Sequence, residues 1–229
     1  MAKKVVKKTR IKFFNLLLIL FVLCGISYLI YTLFQMPIKN IIVSNTKYLN
    51  DDYIIELAGV KDYPSYILTR SKKINDNVLE SKYISSVKVR KKWGFRLYIE
   101  VIESEPLFFD TNKNQYVLEN KESVDDESIC NNFRVPRLLN YVPDVKYESF
   151  IKNMIKIDKA VLSKISDIEY KPNDYDKDRF LLYMDDGNMV YLTLTKFKII
   201  NRYIDVLAQL ENHKGVLYLD DGNYFKIME

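Results

Sequence analysis

Histidine, cysteine and glycine are scarce in this chain of 229 residues, which has one, two and six of them respectively. Each scarcity closes off a class of function. A lone His213 cannot anchor a metal centre, which needs several converging imidazole, thiolate or carboxylate ligands. Cys24 lies in an apolar run and Cys130 in a polar stretch, so the two cannot meet within one chain. No intramolecular disulfide is expected, and stability must come from packed cores. The glycines are scattered, and none builds a phosphate-cradling loop. No catalytic residue, metal site or cofactor is expected on these grounds.

Charge is missing from Phe13 to Phe34, and acidic residues are missing from everything before it. Those 22 residues, as a helix, span about 33 Å, enough to cross a hydrocarbon core of about 30 Å. Residues 13–36 are therefore predicted to form a single transmembrane helix. Residues 1–12 form a cytoplasmic stub, because Lys3, Lys4, Lys7, Lys8, Arg10 and Lys12 make a positive-inside topology signal. The rest of the chain is then extracytoplasmic. A cleavable signal peptide shares this start, but its apolar core is shorter and closes on small residues. Here the run ends in Tyr28, Leu29, Tyr31, Leu33, Phe34 and Met36, and no A-x-A pattern follows. Taking the six stub cations from the total of 35 Lys and Arg leaves 29 against 30 Asp and Glu, a net charge of −1. The body thus carries no basic excess that would favour nucleic acid.

From Ile38 to Phe109 the pattern reads strand, helix, helix, strand, strand. Ile41 and Val43 share a face of the first strand. Asn50 is placed to cap a helix that carries Ile54, Leu57 and Ala58 and stops at Gly59. A second helix over residues 71–81 turns Ile74, Val78 and Leu79 inward. Val87 and Val89, then Leu97, Ile99 and Val101, alternate with polar residues about a Trp93-Gly94 turn, the mark of a half-buried sheet. From Pro106 the character changes. A hairpin is expected around Asn112-Lys113-Asn114 and a structureless loop over residues 121–132. An amphipathic helix over residues 147–162 buries Phe150, Met154, Ile157 and Val161, and strands follow over 165–170, 180–184 and 189–194. A helix over 196–210 presents Phe197, Ile200, Ile204 and Leu207. Strands over 216–219 and 224–227 end the chain.

Two stretches echo each other, Leu182-Tyr183-Met184-Asp185-Asp186-Gly187-Asn188 and Leu217-Tyr218-Leu219-Asp220-Asp221-Gly222-Asn223. Their spacing fails a calcium loop, and Asp-Gly between alternating segments signals a hairpin turn instead. A Cys–His nucleophile of the kind used by anchored transpeptidases would place its cysteine after the histidine; here Cys130 precedes His213. The 18 tyrosines are dispersed rather than clustered, and they suit strand faces.

The order of these pieces resembles the FtsQ/DivIB family of bacterial division proteins. The residues that carry the resemblance begin with Ile41-Ile42-Val43-Ser44-Asn45-Thr46 and Tyr48-Leu49-Asn50. They continue with Ile84, Val87, Val89, Arg90, Trp93, Leu97, Ile99 and Val101, closed by Glu103-Ser104-Glu105-Pro106. The last are Val135-Pro136-Arg137-Leu138, Asp186-Gly187 and Leu217-Tyr218-Leu219-Asp220. The family usually has Gly-Asn at Ser44-Asn45, a proline at Gly94 and Leu-Arg after Asp220. The resemblance implies an α+β protein: a transmembrane helix, a POTRA (polypeptide-transport-associated) domain of β-α-α-β-β order over 37–106, and a mixed β-rich domain over 107–229. It implies a non-enzymatic, single-pass type II membrane protein enriched at the division septum. It also implies a complex with FtsL and a DivIC/FtsB-like protein, and through them an influence on septal peptidoglycan synthesis and the septal penicillin-binding protein. In that family the last strands of the β domain carry the partner contact; the matching residues here are Leu217, Tyr218, Leu219, Tyr224, Phe225 and Ile227. An anchored enzyme or other domain acting on the cell wall, and a POTRA-bearing translocation scaffold, are the competing readings.

Overall fold

The structure is a computed structural model that describes residues 13–125, 127–130, 133–210 and 213–228. The basic stub lies outside them. The chain divides into two compact units, one of residues up to Ser81 with Ser86–Ile102, the other of Lys82–Ser85 with Glu103–Glu229.

The first unit opens with helix α1, Phe13–Gln35, none of whose residues is buried. Its 23 residues run about 35 Å, and among the described residues it is the one helix long and apolar enough to cross a membrane. The chain then pairs with a later loop: Ile38 donates its N–H to Pro64 O at 3.0 Å, and Tyr66 donates to Met36 O at 2.9 Å. Next come β1 (Asn40–Ser44), α2 (Asp51–Leu57), α3 (Ser71–Leu79), β2 (Ile84–Lys92) and β3 (Arg96–Glu103). They form the predicted β-α-α-β-β order, with sheet order β1-β3-β2 and β1 parallel to β3. Asn50 caps α2 by accepting the Asp52 N–H at 3.1 Å, and Gly59, at φ +64°, ends it. Helix α2 packs on β1 and α3. Ile54, Ile74, Val78, Leu97, Ile99 and Val101 are buried as the periodicities predict. Leu79 is not: it is 42% exposed, because it follows Val78 directly and a helix turns neighbouring residues to different faces.

The second unit is a nine-stranded mixed sheet covered by helices. Its elements are β4 (Pro106–Asp110), β5 (Gln115–Leu118), β6 (Ser123–Val124), α4 (Glu127–Cys130), β7 (Arg137–Leu138), α5 (Asp144–Met154), α6 (Lys159–Leu162), β8 (Ile165–Tyr170), β9 (Arg179–Met184) and β10 (Met189–Thr193). A 3₁₀ helix (Leu194–Arg202), α7 (Tyr203–Leu207), β11 (Gly215–Tyr218) and β12 (Tyr224–Ile227) complete it. The strand order is β12-β11-β10-β9-β8-β7-β4-β5-β6. Four phenylalanines gather its core from four elements. Phe150 of α5 stacks on Phe180 of β9 at 5.0 Å between centroids and meets Phe108 of β4 and Phe197 of the 3₁₀ helix edge-on at 5.1 and 5.8 Å.

Three expectations are corrected here. The described part of 121–132, which leaves out residues 126, 131 and 132, is not a plain loop: it supplies β6 and α4, and it buries Cys130 against Leu118 and Val124. The helix over 147–162 is broken into α5 and α6, though Phe150, Met154, Ile157 and Val161 all reach the core. Asn201 holds the break, accepting from Asp158 N–H at 2.9 Å and donating to Lys156 O at 3.0 Å. The helix over 196–210 is 3₁₀ as far as Arg202, with a three-residue period, and α-helical only over Tyr203–Leu207. The buried set is therefore Phe197, Ile200 and Tyr203, while Ile204 is exposed and Leu207 only half-buried.

Truncating Phe150 removes the ring shared by four elements. Phe150→Ala is expected to cost about 3–5 kcal/mol of stability, read as a lowered urea midpoint with an unchanged slope for the extramembrane region.

Candidate partner-binding edge

Strand β12 is an edge of the nine-stranded sheet and pairs antiparallel with β11, Phe225 lying opposite Leu217 and Tyr224 opposite Tyr218. Met228 donates its N–H to Lys214 O at 3.0 Å in the same register. Antiparallel ladders alternate bonded and non-bonded pairs. Tyr224, Lys226 and Met228 therefore turn their backbone groups toward β11, and Phe225 and Ile227 turn theirs outward to the open edge. Strand alternation sorts the side chains as well. Phe225 lies half-buried against the core cluster, while Tyr224 stands on the other face, 51% exposed.

That outer face carries a ladder of π systems that crosses four strands. The Arg179 guanidinium sits 3.6 Å from the Tyr191 ring centre; Tyr191 stacks on Tyr218 at 5.4 Å, and Tyr218 on Tyr224 at 4.7 Å. Beside it, the Tyr183 hydroxyl donates to Glu169 Oε2 at 2.9 Å. Partial burial, with that hydrogen bond second, pushes the Tyr183 hydroxyl up to about 12.

The hairpin is held from beneath by the first Asp-Asp-Gly-Asn stretch. Its Asp186-Gly187 turn joins β9 to β10, with Gly187 at φ +90°. The buried Asn188 then does more than turn the chain. Its Oδ1 accepts the Gly215 N–H at 2.8 Å, and its Nδ2 donates to the Tyr203 hydroxyl at 3.0 Å. Tyr203 donates to Asp186 Oδ2 at 2.8 Å, and burial first, then this bond, holds its hydroxyl above the usual phenol range. Gly215 must be glycine: a Cβ there would sit 2.2 Å from Lys226 O and 2.7 Å from the Phe225 ring. At the far end of β11, Arg179 Nε donates to Asp220 Oδ2 at 2.6 Å, and Lys196 Nζ donates to Asp220 O at 2.9 Å. The second echo, Asp221-Gly222-Asn223, is the β11–β12 turn.

Of the six residues expected to meet a partner, Leu217 and Leu219 do not fit, because alternation sends both into the core, each about nine-tenths or more buried. Tyr218 is half-buried within the ladder, and Tyr224, Phe225 and Ile227 lie on the edge strand itself. Arg179, Tyr191 and Asn188 join this edge without any local signal in the sequence. Dispersed tyrosines become a row only when strand register is known. Among the described residues no group of three His, Cys, Asp or Glu side chains could hold a metal ion.

A family model described as the POTRA domain, FtsQ-type, matches residues 36–104. A cell division protein DivIB of Bacillus cytotoxicus is 28% identical over 222 residues, covering 92% of this chain and 84% of that protein. One from Bacillus cereus is 29% identical over 196 residues, covering 82% and 75%. One from Bacillus subtilis is 25% identical over 215 residues, covering 88% and 79%. Among solved structures, the major extracytoplasmic domain of the trans isomer of DivIB from Geobacillus stearothermophilus is similar at 23% identity and a TM-score of 0.39, covering 48% of this chain and 96% of that one.

Asn188→Ala leaves the Gly215 N–H buried without its acceptor, at a cost of about 1–3 kcal/mol. The expected result is faster hydrogen exchange at Gly215 and through β11. Tyr203→Phe, which keeps the Asn188–Gly215 bond, should leave the Gly215 amide protected.

Proposed function

Because residues 36–104 match the FtsQ-type POTRA model and cell division proteins DivIB match most of the chain, we propose that it is a member of the FtsQ/DivIB family, a non-enzymatic scaffold of the division machinery that takes a partner's strand onto β12. The partners this reading assigns are FtsL and a DivIC/FtsB-like protein. The site of action is the division septum, with influence on septal peptidoglycan synthesis through the complex. The apolar helix α1 supports a membrane anchor with the bulk of the chain outside the cell.

The observation that carries the reading is the free edge of β12. Outward N–H and C=O groups on Phe225 and Ile227 are a template for one more strand. A partner side chain opposite Tyr224 would extend the tyrosine ladder, and one opposite Lys226 would favour a negative charge. The partner-facing set on this reading is Tyr218, Tyr224, Phe225 and Ile227, with Lys226 added. Backbone pairing supplies affinity, and the aromatic row supplies register.

The test separates backbone from side chain. Phe225→Ala loses the ring and keeps the outward N–H, whereas Phe225→Pro loses both. The bonds to β11 come from the neighbouring residues, so proline is tolerated at this edge position and the fold should survive. In pull-downs of FtsL and DivIC, Phe225→Pro is expected to bind more weakly than Phe225→Ala. Tyr224→Ala is expected to lose about 2 kcal/mol, roughly thirtyfold in affinity. Equal, undiminished binding by all three folded variants would overturn the assignment, and a fluorescent fusion that never gathers at the septum of dividing cells would overturn the function.

A further inference from the structure

Among the described residues, the most exposed large apolar side chain outside α1 and the loop tip at Tyr175 is Trp93, 95% exposed in the β2–β3 turn. A single exposed aromatic is ordinary on a protein surface. Its surroundings are not. The turn is braced to the first residues after the apolar helix α1. Tyr66 spans the gap, donating its N–H to Met36 O at 2.9 Å and its hydroxyl to Lys92 O at 3.0 Å. Lys39 donates its N–H to Phe95 O at 2.9 Å, and the Tyr66 and Phe95 rings meet edge-on at 5.3 Å. Lys91 donates its amine to Tyr66 O. Lys92, the residue before Trp93, is therefore tied through Tyr66 to Met36, the residue that follows α1.

A second loop hangs from the same point. The Ser65 hydroxyl donates to Phe34 O at 2.5 Å and accepts the Leu68 N–H at 3.3 Å. This loop leaves Tyr63, Ile67 and Leu68 exposed. Cations stand among these apolar groups. Lys39 lies over Phe95 and Lys92 over Tyr98, at 5.6 and 4.2 Å from the ring centres. Arg96 donates to the Trp93 carbonyl at 3.3 Å. None of these three cations is paired with a carboxylate among the described residues.

Aromatic rings favour the membrane–water interface, and basic side chains favour an anionic headgroup surface. We propose that the β2–β3 turn at Trp93 and the loop at Ile67–Leu68 dock on the lipid surface of the membrane that α1 crosses, with Lys39, Lys92 and Arg96 facing headgroups. The proposal rests on the reading of α1 as a membrane anchor. The tether makes the lipid surface the occupant that is always within reach. Docking would fix the tilt of the first unit on the membrane.

Trp93 is the only tryptophan in the chain, so its emission reports this turn alone. The full chain, reconstituted into phosphatidylcholine vesicles with or without phosphatidylglycerol, is tested with brominated lipid and with acrylamide. Resistance to alkaline carbonate extraction reports insertion of α1 separately. The expected result is blue-shifted Trp93 emission, quenched by brominated lipid and shielded from acrylamide, more strongly with phosphatidylglycerol. Reversing Lys39, Lys92 and Arg96 to Glu should abolish or invert the preference for phosphatidylglycerol, since losing one positive charge alone shifts the docked-to-free ratio about fivefold. An inserted chain whose Trp93 is open to acrylamide and blind to brominated lipid overturns the proposal and leaves the turn to a soluble partner. A chain extracted by carbonate overturns the anchor itself and the proposal with it. Charge reversal that leaves quenching unchanged, in a chain of unaltered circular dichroism, overturns the role given to the cations.

Discussion

The candidate edge in the second unit hangs on where the β11–β12 hairpin is fixed, and one buried amide does most of that fixing. Asn188 accepts the Gly215 N–H on one side and donates to Tyr203 on the other, so a turn, a helix and a strand start share one side chain. The Arg179–Asp220 pair holds the other end of β11 and, at 14% and 8% side-chain exposure, is withdrawn from water. Its strength is tempered, since Asp220 Oδ1 has no hydrogen-bond partner among the described residues. Breaking one side of such a pair strands a charge, which costs more than the pair contributes when intact. The two anchors make the last strand part of a rigid sheet.

Rigidity matters because an edge strand is both a binding template and a hazard. A loose edge pairs with many chains; a fixed one pairs in a single register. Here the even-numbered residues of β12 are committed to β11, and the odd-numbered ones, Phe225 and Ile227, are left outward. The ladder from Arg179 through Tyr191 and Tyr218 to Tyr224 adds side-chain order on the outer face. Recognition by backbone pairing and an aromatic row tolerates drift in individual side chains. That suits the low identity, about a quarter, between this chain and the DivIB proteins it is similar to.

Much of the architecture could be read from the residues alone. The charge-free run from Phe13, the Asn50 cap, the Gly59 stop and the alternation through Leu97, Ile99 and Val101 are local signals, and each is met in the structure. The misses share a cause. The three-residue period of Phe197, Ile200 and Tyr203 was hidden because two of its members also fit an α-helical stripe. The Asn201 staple that breaks the helix over 147–162 comes from more than 40 residues away, and nothing local announces it. At the edge, the strand was legible but its facing was not. Leu217 and Leu219 are core residues because of where the sheet lies against its helices, and the tyrosine row exists only through the pairing of β10, β11 and β12.

The central claim, that β12 takes a partner strand on its outer edge, has a signature in alternate amides. Residue-resolved hydrogen exchange of the extramembrane region, alone and mixed with the proposed partners FtsL and DivIC, reads it directly. The account predicts that Tyr224, Lys226 and Met228 exchange slowly in both states, while Phe225 and Ile227 exchange quickly alone and slowly in the complex. A complex that forms while Phe225 and Ile227 keep the exchange rates of the free protein would contradict it.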